Sequence, residues 1–392
     1  MATRPSACNV GRMGRAERVL VVGGGVAAVE TMLALRHLAS ERIAVELIAP
    51  EPYFWYTPLA VAEPFGPVRT QHFDLALLAH SCGALFTAGA VVAVDSDRHV
   101  VRTVVGRTDS GEIPYDALVL ATGARRRPGV AGAVAFRGPA DTDAVRFVVE
   151  EVEARRARTL VFAVPSGVTW PLPAYELALQ AARRLDGGAA ITVVTPEAEP
   201  LEVFGPRAGV AVARLLREAG VDVRCCEAPQ EAIAGALRLG SGERISAERV
   251  VAVPRLHGDP PLEVPCDADG FVPVDERGRV AGLYDVWAAG DGTAYPVKQG
   301  GVATQQADAV AEDIAARADS SVEAQPFRPI LRTLLLTGGA PLYLRTDPAA
   351  PADGTVSDEP LWWPPAKIVG KHLAPFLAEL ERGAESPEPA LG

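Results

Sequence analysis

Two groups of residues have the types and spacing to do chemistry. The first is Gly23, Gly24 and Gly25, set directly after four apolar residues, Val19 to Val22, and followed by Val26, Ala27 and Ala28. Gly23 permits a tight turn, Gly25 lets an anion approach the backbone, and Ala28 lets a following helix pack close to the strand. Free N–H groups and the dipole at a helix N-terminus favour negative charge, so the stretch reads as a dinucleotide pyrophosphate site. Tight strand-to-helix packing is the plain alternative. The second group sits at two further strand ends, Ala121-Thr122-Gly123 and Gly290-Asp291-Gly292. A carboxylate such as Asp291 can accept ligand hydroxyls there, or simply cap its turn. Lys298 is the sole basic side chain between Arg279 and Arg317.

These residues need elements to hold them. Val19 to Val22 reads as a buried parallel strand, Val26 to Ala39 as a helix, and Ile43 to Ala49 as the next strand at βαβ spacing. A ribose-binding acid belongs at the end of that second strand. Ala49 occupies the point, Glu46 lies within the strand, and Glu51 is left as the ribose partner or as plain solvated loop. Tyr53 to Tyr56, closed by Pro58, reads either as inter-domain core or as a wall beside a flat ring. Val91 to Asp95 and His99 to Val105 alternate as a β-meander, with a turn placed at Asp109-Ser110-Gly111. Ala117 to Ala121 is a strand, and Arg125, Arg126 and Arg127 form a solvated run.

A second α/β unit starts near residue 155, with strands at 160–164, 191–194, 221–225 and 250–253 and helices at 173–185 and 207–219. Its first turn, PSGVTWPLPAYE (165–176), holds one glycine, Gly167, and three prolines. Each proline removes an N–H that a pyrophosphate would use. Glu197, after its second strand, is still able to meet a ribose hydroxyl. The chain then returns with a strand at 286–289 and a helix at 301–317. An apolar stretch at 330–337, a loose acidic loop at 346–360 and a docking helix carrying Ile368, Leu373, Phe376, Leu377 and Leu380 on one face complete it.

At 392 residues two or three domains are expected. A net charge of -11 argues against nucleic acid or an anionic membrane as main partner. Cysteines at 8, 82, 225, 226 and 266 make neither a C-x-x-C nor a metal spacing and read as reduced cytoplasmic thiols, Cys225 and Cys226 at a strand end. Residues 1–17 read as a disordered lead-in without a signal-peptide pattern, and no apolar run is long enough to span a bilayer.

Three stretches, VVGGGVAA (21–28), LVLATGA (118–124) and VWAAGDGTAYPVKQGG (286–301), together resemble the two-dinucleotide-domain flavoproteins of the pyridine nucleotide-disulfide oxidoreductase superfamily. The resemblance covers most of residues 18–318. It implies an α/β fold with two Rossmann-like domains. The FAD-binding domain is discontinuous, at 18–135 and 265–320; a degenerate NAD-type domain occupies 136–264, and a C-terminal interface segment 321–392. FAD is the implied cofactor, its pyrophosphate held by Gly23, Gly24, Gly25, Val26, Ala27 and Ala28. Glu51, Pro58 and Val91 are implied contacts, as are Ala121, Thr122 and Gly123. Gly290 and Asp291 would meet the ribityl–phosphate region. In that family the helix after the AxGD strand points its N-terminus at the flavin edge that gains negative charge on reduction. Here this is Gly300, Gly301 and Val302, with Lys298 as candidate catalytic cation or, alternatively, a surface lysine.

Within the superfamily, YFWYTPLA (53–60) and WPLPAYELAL (170–179) look most like sulfide:quinone oxidoreductase and flavocytochrome c sulfide dehydrogenase. Type II NADH dehydrogenase is close by, and ATQQA (303–307) is similar to its quinone-side element. The chain departs from the sulfide enzymes at Trp170, where they carry a redox cysteine, and at 331–337, which has none. The expected function is transfer of electrons from a small-molecule donor to a quinone-like or other small acceptor without disulfide chemistry. An NAD(P)H-dependent reductase of the NADH dehydrogenase or ferredoxin reductase type is the alternative, and a flavin-binding sensor the alternative of another class. A homodimer and peripheral contact with the cytoplasmic membrane face are further expectations.

Overall fold

The computed structural model describes residues 16–106 and 108–385. The lead-in expectation falls almost wholly outside the described residues, as does Cys8; Glu17 already begins a strand.

Two parallel sheets carry the fold. The first has the order Val286–Ala288, Ala117–Leu120, Glu17–Val22, Ile43–Ala49, Leu85–Ala88. Alternation along the central strand divides its surroundings. Val19 and Val21 face the helices Val26–Ala39 and Gly300–Ala318, while Leu20 and Val22 face the meander strands Ala90–Asp95 and Val100–Val105. A strand buried on both faces must be apolar throughout, and Val19, Leu20 and Val21 are fully buried. The one charge in the neighbouring strand is neutralised: Glu46 accepts hydrogen bonds from Arg18 Nη2 at 2.6 Å and Thr87 Oγ1 at 2.7 Å.

The second sheet has the order Val134–Ala135, Arg249–Ala252, Thr159–Ala163, Ala190–Val194, Val221–Arg224. Leu160 and Phe162 face the helices Thr142–Glu153, Leu172–Leu185 and Pro206–Glu218, and Val161 and Ala163 face a small antiparallel meander around Leu237 and Leu239. The two units are joined by paired crossing strands. Ala124–Arg127 runs antiparallel to Arg255–Gly258, so the arginine run lies on a strand, with Arg125 bonded to Asp259.

Three local expectations differ. The meander reverses near Gly106, and Asp109 to Gly111 lies inside the strand Thr108–Pro114, where Gly111, at φ +101°, sits at a shift of register. A glycine with positive φ serves a bulge as well as a turn. The acidic loop at 346–360 contributes Thr355–Ser357 to an antiparallel sheet with Leu342–Thr346 and Leu331–Leu335. Ile368 precedes the last helix, Leu373–Glu385, rather than sharing its face. The helix docks within the chain: Ile368, Leu373 and Leu377 join the apolar cluster of the first unit. Among the described residues no helix is long and apolar enough to cross a membrane.

Candidate functional site

The C-terminal ends of the first sheet open into a cleft of about 1410 Å³. This exceeds the roughly 300–1,000 Å³ typical of small-molecule sites and is of dinucleotide size. Gly23, at φ +131°, donates its N–H to Ile48 O at 2.8 Å, and a Cβ there would run into the carbonyl of Ala121. Only glycine fits. Gly25 is different: its backbone is extended, and a Cβ would meet nothing within 4 Å. The space belongs to the cleft. Gly25 is also the N-cap of Val26–Ala39 and no side chain among the described residues caps that helix, so its first N–H groups face the opening. This glycine turn, the open space at Gly25 and the uncapped amides fit a pyrophosphate.

Gly23, Gly24, Gly25, Val26 and Ala27 line the cleft, whereas Ala28 is fully buried against the sheet. Glu51, Pro58 and Val91 line it too, with Ala121, Thr122 and Gly123 from the next strand end. The aromatic cluster divides by alternation. Phe54 and Tyr56 are buried core, while Tyr53 and Trp55 line the cleft with His72 packed between them, 5.1 and 4.8 Å between ring centres.

Gly290 and Asp291 enter from the edge strand. The Gly290 N–H is held by Gln306 Oε1 at 2.8 Å, and Gly290's would-be Cβ meets that of Ala27, which is what keeps the strand end and the first helix in close approach. No hydrogen-bond donor among the described residues reaches the Asp291 carboxylate. Burial pushes its pKa up, against the opposing charges of Arg126 and Lys298.

Asp291, Gly300, Pro58 and Arg126 also line a second cavity of about 580 Å³, on the side of the second unit. Lys298 belongs to this cavity and not to the first. Its Nζ donates to Thr293 O and lies 3.7 Å from the centre of the Phe271 ring. Burial pulls it down to about 8, with Asp291 and Asp267 opposing. Gly301 and Val302 lie behind the wall, and the Val302 N–H is taken by Gln299 Oε1 at 2.8 Å. That cap is invisible in sequence because glutamine is a weak cap signal. Trp170 lines the second cavity and packs on Phe204. None of the four described cysteines lines either cavity.

Glu176 and Lys367 are the site residues that sequence reasoning missed. They form a buried ion pair at 2.7 Å, with Glu176 Oε1 also accepting from Leu336 N and Lys367 Nζ donating to Pro58 O at 2.9 Å. Burial raises the Glu176 pKa and lowers that of Lys367, and each partner opposes the shift of the other. Lys367 stands between the second cavity and a third of about 290 Å³, lined by apolar groups such as Leu59, Leu334 and Leu377. The only early signal was an acid within an otherwise apolar helical stretch. The two glutamines of ATQQA are engaged elsewhere: Gln305 bonds Gly301 O and the backbone of Ile330, and Gln306 bonds Gly290 N and Thr293. In the second unit, Glu197 is buried and accepts from Tyr175 Oη at 2.6 Å and Thr195 Oγ1 at 2.8 Å. Both bonds fall on Oε2.

A family model described as pyridine nucleotide-disulphide oxidoreductase matches residues 17–307. No curated protein matches the sequence. Among solved structures, the chain is similar to the sulfide:quinone oxidoreductase of Aquifex aeolicus, at 22% identity over 88% of this chain and 87% of that one, with a TM-score of 0.78. It is similar to a ferredoxin reductase of Rhodopseudomonas palustris, at 20% identity over 84% and 82% and a TM-score of 0.63. An NDH2 from Plasmodium falciparum, solved with NADH, is 14% identical over 79% and 73%, with a TM-score of 0.59.

Proposed function

The chain belongs to the pyridine nucleotide-disulphide oxidoreductase family, and on that premise we propose that it is an FAD-dependent oxidoreductase carrying electrons from a small organic donor to a quinone-like acceptor. When bound, FAD supplies the two-electron chemistry that these side chains lack. Gly23, Gly25 and the amides of Val26–Ala39 would hold its pyrophosphate, and Asp291 would accept its ribityl hydroxyls. The observation that carries the reading is the meeting of three spaces at one place. The dinucleotide-sized cleft shares Asp291 and Gly300 with the second cavity, which in turn shares Lys367 with the apolar third. The second cavity suits a donor and the third an acceptor of apolar character, with Lys367 Nζ able to hold a proton at its edge.

The burial of Glu197 and the proline-rich turn at 165–173 count against NAD(P)H as donor. That none of the four described cysteines lines either cavity counts against a disulfide mechanism. The test is an absorption spectrum of the purified protein, followed anaerobically with NADH, NADPH, sulfide and a hydroquinone in turn. Bound flavin that a hydroquinone reduces and a soluble quinone reoxidises supports the reading. A protein that takes up no FAD overturns it.

A further inference from the structure

The last helix is fastened by charges that the proposed electron path does not use. Glu30, fully buried on Val26–Ala39, accepts the backbone N–H of His372 at 2.9 Å and of Leu373 at 2.6 Å, and so caps the helix Leu373–Glu385. Beside it, on Gly300–Ala318, lies Asp308, whose carboxyl is close enough to that of Glu30 for each to shift the other's pKa. Asp308 Oδ1 and His372 Nε2 are both buried without a hydrogen-bond partner among the described residues, 3.9 Å apart. Two adjacent buried carboxyls are stable with one proton between them and repel without it.

Of the charges facing Asp308 besides Glu30, Lys371 pulls its pKa down and Glu312 pushes it up. His372 is kept neutral, pushed down to about 4 by burial and by His37 and Lys371, and the His37 ring lies 5.1 Å from it. Lys371 is more than half exposed and pairs with Glu312 at 3.3 Å. The helix so held forms one wall of the third cavity, through Leu373, Ala374 and Leu377.

We propose that the Glu30–Asp308 pair is a one-proton latch that keeps Leu373–Glu385 closed over the apolar cavity, and that loss of the proton frees the helix and opens the cavity. Burial and the Glu30 charge push Asp308 up to about 8. Its folded value lies above its unfolded one, so its stabilising contribution is present in acid and lost as pH rises through about 8. That the opened space admits an acceptor rests on the function proposed above; the latch does not.

Hydrogen exchange of the full chain tests it, corrected for the intrinsic pH dependence of exchange. Between about pH 7 and about pH 9 the amides of Leu373 to Leu377 should lose protection about tenfold, as one proton per opening requires. Asp308→Asn should abolish that step while keeping protection, and Glu30→Gln should lower protection at both pH values. A flat wild-type profile, or an Asp308→Asn variant that steps like wild type, overturns the latch. Should Asp308→Asn fail to fold, an apolar reporter dye carries the test in the wild type: its binding must rise with the same midpoint, and constant binding overturns the proposal. A latch that opens in a protein reduced by no donor would leave this inference standing and remove only the function proposed above.

Discussion

At Gly25 a side chain would meet only open cleft, and the extended backbone there suits valine. Gly25→Val should therefore fold normally and purify without yellow colour, because the branched side chain occupies the space a phosphate needs. Full flavin content by absorbance would refute this. Lys298 would act at longer range. Lys298→Met should lower the flavin midpoint potential while leaving FAD bound, by removing a positive charge that favours the reduced form. Since burial brings Lys298 down to about 8, wild type and variant should converge as pH rises past that value. Potentiometric titration at several pH values checks both statements. The Glu176–Lys367 pair should behave as a buried ion pair does: Lys367→Met leaves a carboxylate buried alone and should cost about 3–5 kcal/mol in urea unfolding, whereas adding Glu176→Gln should recover much of it.

At the scale of elements, what the sequence made legible was local. The glycine turn, its helix and the strands on either side follow from apolar runs and small residues a few positions apart. The bulge at Gly111 was misplaced because a positive-φ glycine marks either a turn or a bulge until its partner strand is known. The cap that Glu30 places on Leu373 was out of reach because it depends on how helices meet, whereas the cap that Gln299 places on Val302, three residues on, gave only the weak signal of a glutamine. The second unit keeps the fold without the glycine turn of the first. Its strand, turn and helix remain, yet Pro171 precedes the helix Leu172–Leu185 and Tyr175 holds Glu197. NADH and NADPH should accordingly reduce the flavin slowly in stopped-flow measurements, and fast saturable hydride transfer would refute that.

For the whole molecule, the described cysteines lie apart from the cavities, so any reduction of the flavin by sulfide should survive replacement of all five cysteines by serine. Loss of that reduction would show a thiol at work. The discontinuity of the first sheet also bears on how the protein is made. Its edge strand Val286–Ala288, with Asp291 just beyond, pairs with Ala117–Leu120 only after the whole second sheet has been synthesised. On a ribosome adding roughly 5–20 residues per second, the glycine turn after Val22 waits on the order of ten seconds or more for its opposite wall. The second unit, whose strands are contiguous from Val134 to Ala252, can close in the meantime. Capture of the proposed cofactor would then be one of the last events of biosynthesis, and the nascent first unit is the stage at which a chaperone would be needed.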